Sequence, residues 1–369
     1  MISFGMKIFE LTDYLESLAP LSFQMDYDNA GLLVGNPNDT IQQALLCLDC
    51  TEEVVDEAIQ NGFDIIIAHH PIIFKGIKKL NGKNYVERIV IKAIKNNIAI
   101  YAIHTNLDYI ADGVNRIIAE KLELVNTKIL SPESGLVCKL TTFAPVENEN
   151  QIKDALFNAG AGAIGNYSDC SFSVEGNGTF KALDNANPFV GEIGKRHNEK
   201  EVRIEVIYAK EIENSLIKSL KAIHPYEEVA FYIQDLANES SLVGAGMIGE
   251  LPNSISEIEF FTFLKERMNA NIIRHSPLLN KKVKKIAICG GSGSFLLAKA
   301  IASGADVFVT ADFKYHEFFD AEDKIVIADI GHYETEQFTY EWIAEKIKKK
   351  FPTFAHRCTN VITNPVHYF

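Results

Sequence analysis

Three short runs in the first third of the chain, residues 44–49, 63–68 and 98–103, are apolar at almost every position and lead directly into polar residues. A strand that is apolar on both faces must be covered on both, which a largely parallel sheet between layers of helices provides. The covering helices are read over 51–62, where Thr51 is the N-cap and Gly62 the terminator, and over 86–97. Ahead of them, Leu11, Tyr14, Leu15 and Leu18 recur at helical spacing and Pro20 ends the helix. The last third repeats the rhythm, with strands at 284–289, 305–310 and 324–330 and helices at 295–304 and 335–350. The predicted fold class is an α/β core with a largely parallel sheet.

Between these ends the pattern changes. Strand at 137–145, helix at 150–160, strand material at 167–183, strand at 201–209, helix at 214–223 and strand at 228–236 read in order as β-α-β-β-α-β, the ferredoxin-like sequence of elements. With turn-rich stretches at 131–135 and 238–246, this places an inserted α+β domain at 131–245, and the core is assembled from 1–130 and 246–369.

The 369 residues carry a formal charge of −13 and a pI near 5.3, a field that repels nucleic acid and anionic membrane surfaces, so neither is expected as a partner. The basic run at 281–285 reads as a solvated loop. No apolar run reaches the ~18 residues of a membrane span, and the first residues lack the basic-then-apolar order of a signal peptide, so a cytoplasmic location is expected. Six cysteines, of which Cys47 and Cys50 alone are closely spaced, make no disulfide framework.

The chemistry collects at strand ends, where open α/β sheets place their ligands. His69 and His70 follow one apolar run, His104 and Asp108 follow a second, and His332 follows a third with Glu336 one helical turn on. Imidazole nitrogen with carboxylate oxygen suits zinc, manganese, iron or nickel. His69, His70, Asp108, His332 and Glu336 exceed the needs of one catalytic ion, and two divalent ions bridged by a carboxylate satisfy them most simply. Such a pair implies hydrolysis of a small-molecule substrate; an ion held only for stability is the competing reading.

These residues lie in stretches that resemble the GTP cyclohydrolase I type 2, or Nif-three-like, family: DYDNAGLLVG from Asp26, AHHPIIF from Ala68, HTNLD from His104, TADFKYH from Thr310 and DIGHYETE from Asp329. The resemblance implies that His69, Asp108 and Glu336 hold one ion and His70, His332 and Glu336 the other. It also implies that the insert is CutA/PII-like, that the substrate is a nucleotide whose imidazole ring is opened with loss of formate, and that the protein forms a homohexamer. A dinuclear phosphoesterase or amidase, and a non-catalytic metal-binding adaptor or sensor, would need the same ligands.

Weaker candidates surround this set. His104 and His316 are read as proton carriers beside the ions or as satisfied structural histidines, and Asp28 and Asn29 as site-lining residues or an ordinary turn. The glycine-rich stretch 290–294 lacks the third glycine of a dinucleotide fingerprint and the lysine of a P-loop, leaving a tight turn or a phosphate contact. In the insert, Pro225 accounts for the HPYEE turn without a ligand.

Overall fold

Local signals set the first core elements. The Thr51 hydroxyl accepts from the Val54 amide to start the helix Glu52–Asn61, and Gly62, at φ 74°, ends it in a left-handed turn. The chain then enters the strand Ile65–Ala68, in which every residue is buried. A computed structural model describes residues 5–369. The chain divides into two compact units, one comprising residues up to Ser131 and from Leu242 onward, the other Pro132–Ser241.

The first unit holds two mixed sheets where one largely parallel sheet is expected from the sequence. In the five-stranded sheet the order is Ala355–Cys358, Gln43–Cys47, Ile65–Ala68, Ala99–Ala102 and Gly31–Val34, parallel except at the last junction. In the six-stranded sheet it is Arg274–His275, Val326–Asp329, Val307–Ala311, Lys282–Ser292, Glu239–Ser256 and Val125–Ser134. The Val307–Ala311 strand is parallel to both of its neighbours, whereas Arg274–His275 runs antiparallel to Val326–Asp329 and Glu239–Ser256 antiparallel to Lys282–Ser292. Strand periodicity reports burial of each segment and not its ladder partners, which is why one sheet and two read alike.

Alternate strand residues feed different apolar layers. Ile65 and Ile67 join a cluster that also takes Ile286, Ile288, Val307 and Val309 from the second sheet and Leu11, Ile118 and Ile343 from helices. Ile66 and Ala68 face the opposite way, onto Val54, Ala58, Val90 and Ala93. The strand Ile65–Ala68 is thereby buried on both faces, and only its end is open to polar chemistry.

The second unit is a four-stranded antiparallel sheet in the order Phe231–Leu236, Val137–Pro145, Arg196–Ala209 and Phe172–Lys181, with helices Glu149–Asn158 and Glu213–Ile223. Leu140, Ile204 and Val206 from the sheet pack with Ile152, Leu156, Leu216 and Leu220 from the helices. The boundary falls at Ser241, short of the expected 245, because Val243 and Ala245 are buried in a strand of the six-stranded sheet. The basic run is also strand, not loop: the Lys284 ammonium donates to the Pro252 carbonyl at 3.0 Å and that of Lys285 to the Ser303 carbonyl at 2.5 Å. No helix among the described residues is long and apolar enough to cross a membrane.

Candidate metal centre

Register brings the first polar groups together. Cys47, Ala68 and Ala102 are paired across three adjacent strands, so these strands end level. Asp49, His69, His70 and His104 therefore emerge along one sheet edge. The second sheet contributes in the same way: Val307–Ala311 ends beside Asp312, and the strand Val326–Asp329 leads through Gly331, at φ 101°, into the short helix His332–Glu336.

All three histidines of the expected ligand set are oriented by their Nδ1 atoms. His69, fully buried, donates from Nδ1 to the Ile103 carbonyl at 2.8 Å, which leaves its Nε2 without a proton. His70 Nδ1 is 2.7 Å from Asp49 Oδ1, and His332 Nδ1 is 2.7 Å from Asp312 Oδ2. Each Nε2 then faces Glu336 Oε2, at 3.9 Å from His69, 2.9 Å from His70 and 3.1 Å from His332. Asp108 Oδ1 completes the group, 3.6 Å from His69 Nε2.

One glycine makes room for the central carboxylate and its neighbour for Val114. A Cβ on Gly291, which sits at φ +60°, would collide with Glu336 Oε1, and one on Gly290 would lie 2.6 Å from Val114 Cγ1. The Gly291 amide donates to the Thr335 hydroxyl at 2.9 Å, tying the glycine turn to the Glu336 helix. The glycine-rich stretch is thus a cradle for Glu336, a role that its spacing in the sequence does not suggest.

Protons carry the charge balance of the cluster. Burial pushes His69 down to about 3, so it is neutral. Burial opposes charge on His70 as well, but hydrogen bonds to Asp49 and Glu336 prevail and lift it to about 10. The same contest lifts His332 to about 11 through the charge of Glu336 and the bond to Asp312. Glu336 is held well below the ordinary carboxylate range, its burial being outweighed by His332 and His70. Burial, with the charge of Glu336 behind it, raises Asp108 well above that range.

The donor set fits divalent cations. His69 Nε2 and Asp108 Oδ1 are buried with no hydrogen-bond partner, which is costly unless something fills the space between them. Ligands ~2.1 Å from an ion lie roughly 3–3.5 Å from one another, close to the spacings around Glu336 Oε2. Imidazoles whose second nitrogen is held by a carboxylate or carbonyl are the usual metal-binding arrangement. His69, His70 and Glu336 place one ligand atom each within 4.8 Å of one another.

The remaining candidates divide. His104 lies at the centre, its ring edge-on to His69 and His70 at 5.4 and 5.3 Å, and its Nδ1 is 2.7 Å from Asp28 Oδ1. Asp28 also accepts from the Thr105 amide and hydroxyl. The Asn29 side chain donates from Nδ2 to the Ile73 carbonyl at 2.6 Å and supports a neighbouring loop. His316 is not brought in: it is exposed on the turn Tyr315–Ala321, against Tyr315 and Phe319, and does not line the cavity. The left-handed turn at Asp312, φ 60°, presents that carboxylate to His332 instead. Asp49 and Asp312 are the residues that sequence reasoning missed, although each is the first carboxylate beyond a buried strand.

These groups open into a cavity of about 970 Å³. The sequence model of the Duf34/NIF3 (NGG1p interacting factor 3) family matches residues 6–365. The chain belongs to the Duf34/NIF3 family. A Bacillus subtilis relative called GTP cyclohydrolase 1 type 2 homolog is 39% identical over 345 residues, covering 93% of this chain and 91% of the relative. A Halalkalibacterium halodurans relative of the same name is 38% identical over 368 residues, covering 99% and 98%. The crystal structure of a Bacillus cereus protein related to NIF3 superposes with a TM-score of 0.87 at 37% identity, covering 99% of each chain. Neighbours of the Duf34/NIF3 type thus share both units of the chain and not the core alone.

Proposed function

We propose that this Duf34/NIF3 member holds two divalent ions, His69, Asp108 and Glu336 taking one and His70, His332 and Glu336 the other, and that it hydrolyses a small molecule in the cavity beside them. The observation that carries this reading is the convergence of three Nδ1-anchored imidazoles and Asp108 on Glu336, with two buried ligand atoms left unpartnered. Divalent ions in such a pair supply Lewis acidity and a nucleophile at neutral pH. His104 contributes the proton chemistry: Asp28 engages Nδ1, so Nε2 is the nitrogen left to take a proton from the attacking water and return it to the leaving group.

The names of the relatives favour a nucleotide substrate opened at its imidazole ring with release of formate. From the resemblance of the sequence motifs we further propose a CutA/PII-like second unit, a homohexameric assembly and a cytoplasmic location. Elemental analysis of purified protein should find close to two divalent ions per chain, of zinc, manganese, iron or nickel. Metal-loaded protein should release formate from GTP, and a His104→Gln variant should keep its ions and lose turnover. Hydrolysis of phosphoesters or amides without formate would redirect the substrate assignment, and retention of no metal would overturn the centre itself.

A further inference from the structure

Beyond the metal ligands, a second cavity of about 1110 Å³ is bounded by Asp49, His70, Pro71, Phe74 and Pro365, all of which also line the first. The two spaces therefore share a wall at the metal centre. The far side of the second is formed by the loop between the strand Ile65–Ala68 and the helix Tyr85–Lys95, and it presents Lys75, Lys78 and Lys79.

The loop is anchored. Ile72 is buried and Ile73 and Ile77 pack against the apolar layer beneath, the Asn29 side chain donates to the Ile73 carbonyl at 2.6 Å, and Glu87 accepts from the Asn81 and Lys83 amides at 3.1 and 2.9 Å. Between these ties the three lysines make no ion pair with any described carboxylate. Three of the four acids lining this cavity are engaged, Glu52 with Arg88 at 2.8 Å, Glu87 with the loop amides and Asp49 with His70 and Thr363, and Glu53 is unpaired. Two helices of full length, Glu52–Asn61 and Tyr85–Lys95, also turn their N-terminal residues to this cavity. In a chain of net charge −13, three cations without an ion-pair partner line a cavity that shares a wall with the metal centre.

We propose that Lys75, Lys78 and Lys79 form an anion-binding subsite for a phosphate-bearing small molecule, which holds the substrate by its phosphate while the reacting group lies at the metal centre. The subsite deepens the hydrolase reading and rests on it for the second half of that statement; phosphate binding does not depend on it.

Inorganic pyrophosphate is the probe, titrated calorimetrically into full-length protein with and without metal. Wild-type protein should bind pyrophosphate even after metal removal. Replacing all three lysines by Gln should weaken binding roughly tenfold, Arg at the same positions should preserve it, and metal content should be unchanged in both. Glu336→Ala should lose its ions yet keep metal-free pyrophosphate binding. Absence of binding by the wild type, or equal binding by the triple Gln variant, overturns the subsite. Loss of pyrophosphate binding in Glu336→Ala alone, with the triple Gln variant unaffected, assigns the anion to the ions instead and also overturns it. Failure of the metal centre would appear separately, as wild-type protein without ions.

Discussion

Each unit buries a histidine, and the two are satisfied differently. In the second unit His224 Nε2 donates to the Phe143 carbonyl at 3.0 Å and its Nδ1 accepts from the Tyr226 amide at 3.1 Å, so the backbone meets both ring nitrogens. In the first unit the backbone meets Nδ1 of His69 alone, and Nε2 is left facing Asp108 and Glu336. His224 sits beside an interior of Leu140, Ile204, Leu216 and Leu220, whereas His69 belongs to a cluster of buried carboxylates and imidazoles. A histidine whose hydrogen bonds are complete is part of the packing; one left with a bare, buried lone pair has a ligand to hold.

The sharpest way to break this contrast is to remove each type of group and count ions. His69→Ala and Glu336→Ala should each take away most of the bound metal by elemental analysis, because Glu336 faces every imidazole of the centre. His224→Ala should leave metal content unchanged and lower stability by about 1–3 kcal/mol, the penalty for buried backbone groups left without a partner. Metal loss in His224→Ala, or full retention in Glu336→Ala, would erase the distinction.

A packing change should also respect it. Leu140 is fully buried in the second unit, and Leu140→Ala should cost about 2–5 kcal/mol in denaturant unfolding while the ions stay in place.

The pH response should come from the first unit. Burial opposes ionisation of Asp28, but the hydrogen bond and charge of His104 and the Thr105 hydroxyl hold it down to about 2. Its value in the folded chain therefore lies below the ordinary 3.8, so its contribution is fully present above pH ~4 and is lost as pH falls toward 2. In metal-free protein this amounts to about 2 kcal/mol, which urea titrations across that window would register and which Asp28→Asn should flatten. In metal-free protein His70, lifted to about 10, gives the opposite slope: its contribution is complete below ~6.5 and fades as pH rises through 10.

The smallest effect is expected at a glycine of the second unit. Gly176, on the second unit's strand Phe172–Lys181, has nothing within 4 Å of an added Cβ and no left-handed backbone, so Gly176→Ala should shift stability by less than ~0.5 kcal/mol. Gly291→Ala, by contrast, should displace Glu336 and reduce metal content, and a neutral outcome there would remove the cradle from the account.

Much of the site is legible along the chain, because a polar residue directly beyond a fully apolar run is a local signal. His69, His70, Asp108, His332 and Glu336 all follow strands whose burial the periodicity announces, and the β-α-β-β-α-β order of the second unit is read from the same local alternation. Asp49 and Asp312 follow strands too, yet their importance lies in which imidazole nitrogen they engage, and that pairing joins residues 21 and 20 positions apart. His316 shows the reverse, a residue of the right type that is exposed on the turn Tyr315–Ala321 and does not line the cavity.

What the sequence determined by itself was the set of elements and the donor types at their ends, since both follow from propensity and burial along the chain. Tertiary structure alone decided that these elements form two sheets, that Gly291 must lack a side chain because Glu336 occupies the space, and that the lysines of one loop line the same cavity as His70. The physical reason is that ladder partners, register and shared cavities depend on contacts between distant segments, whereas periodicity records only whether each segment is covered.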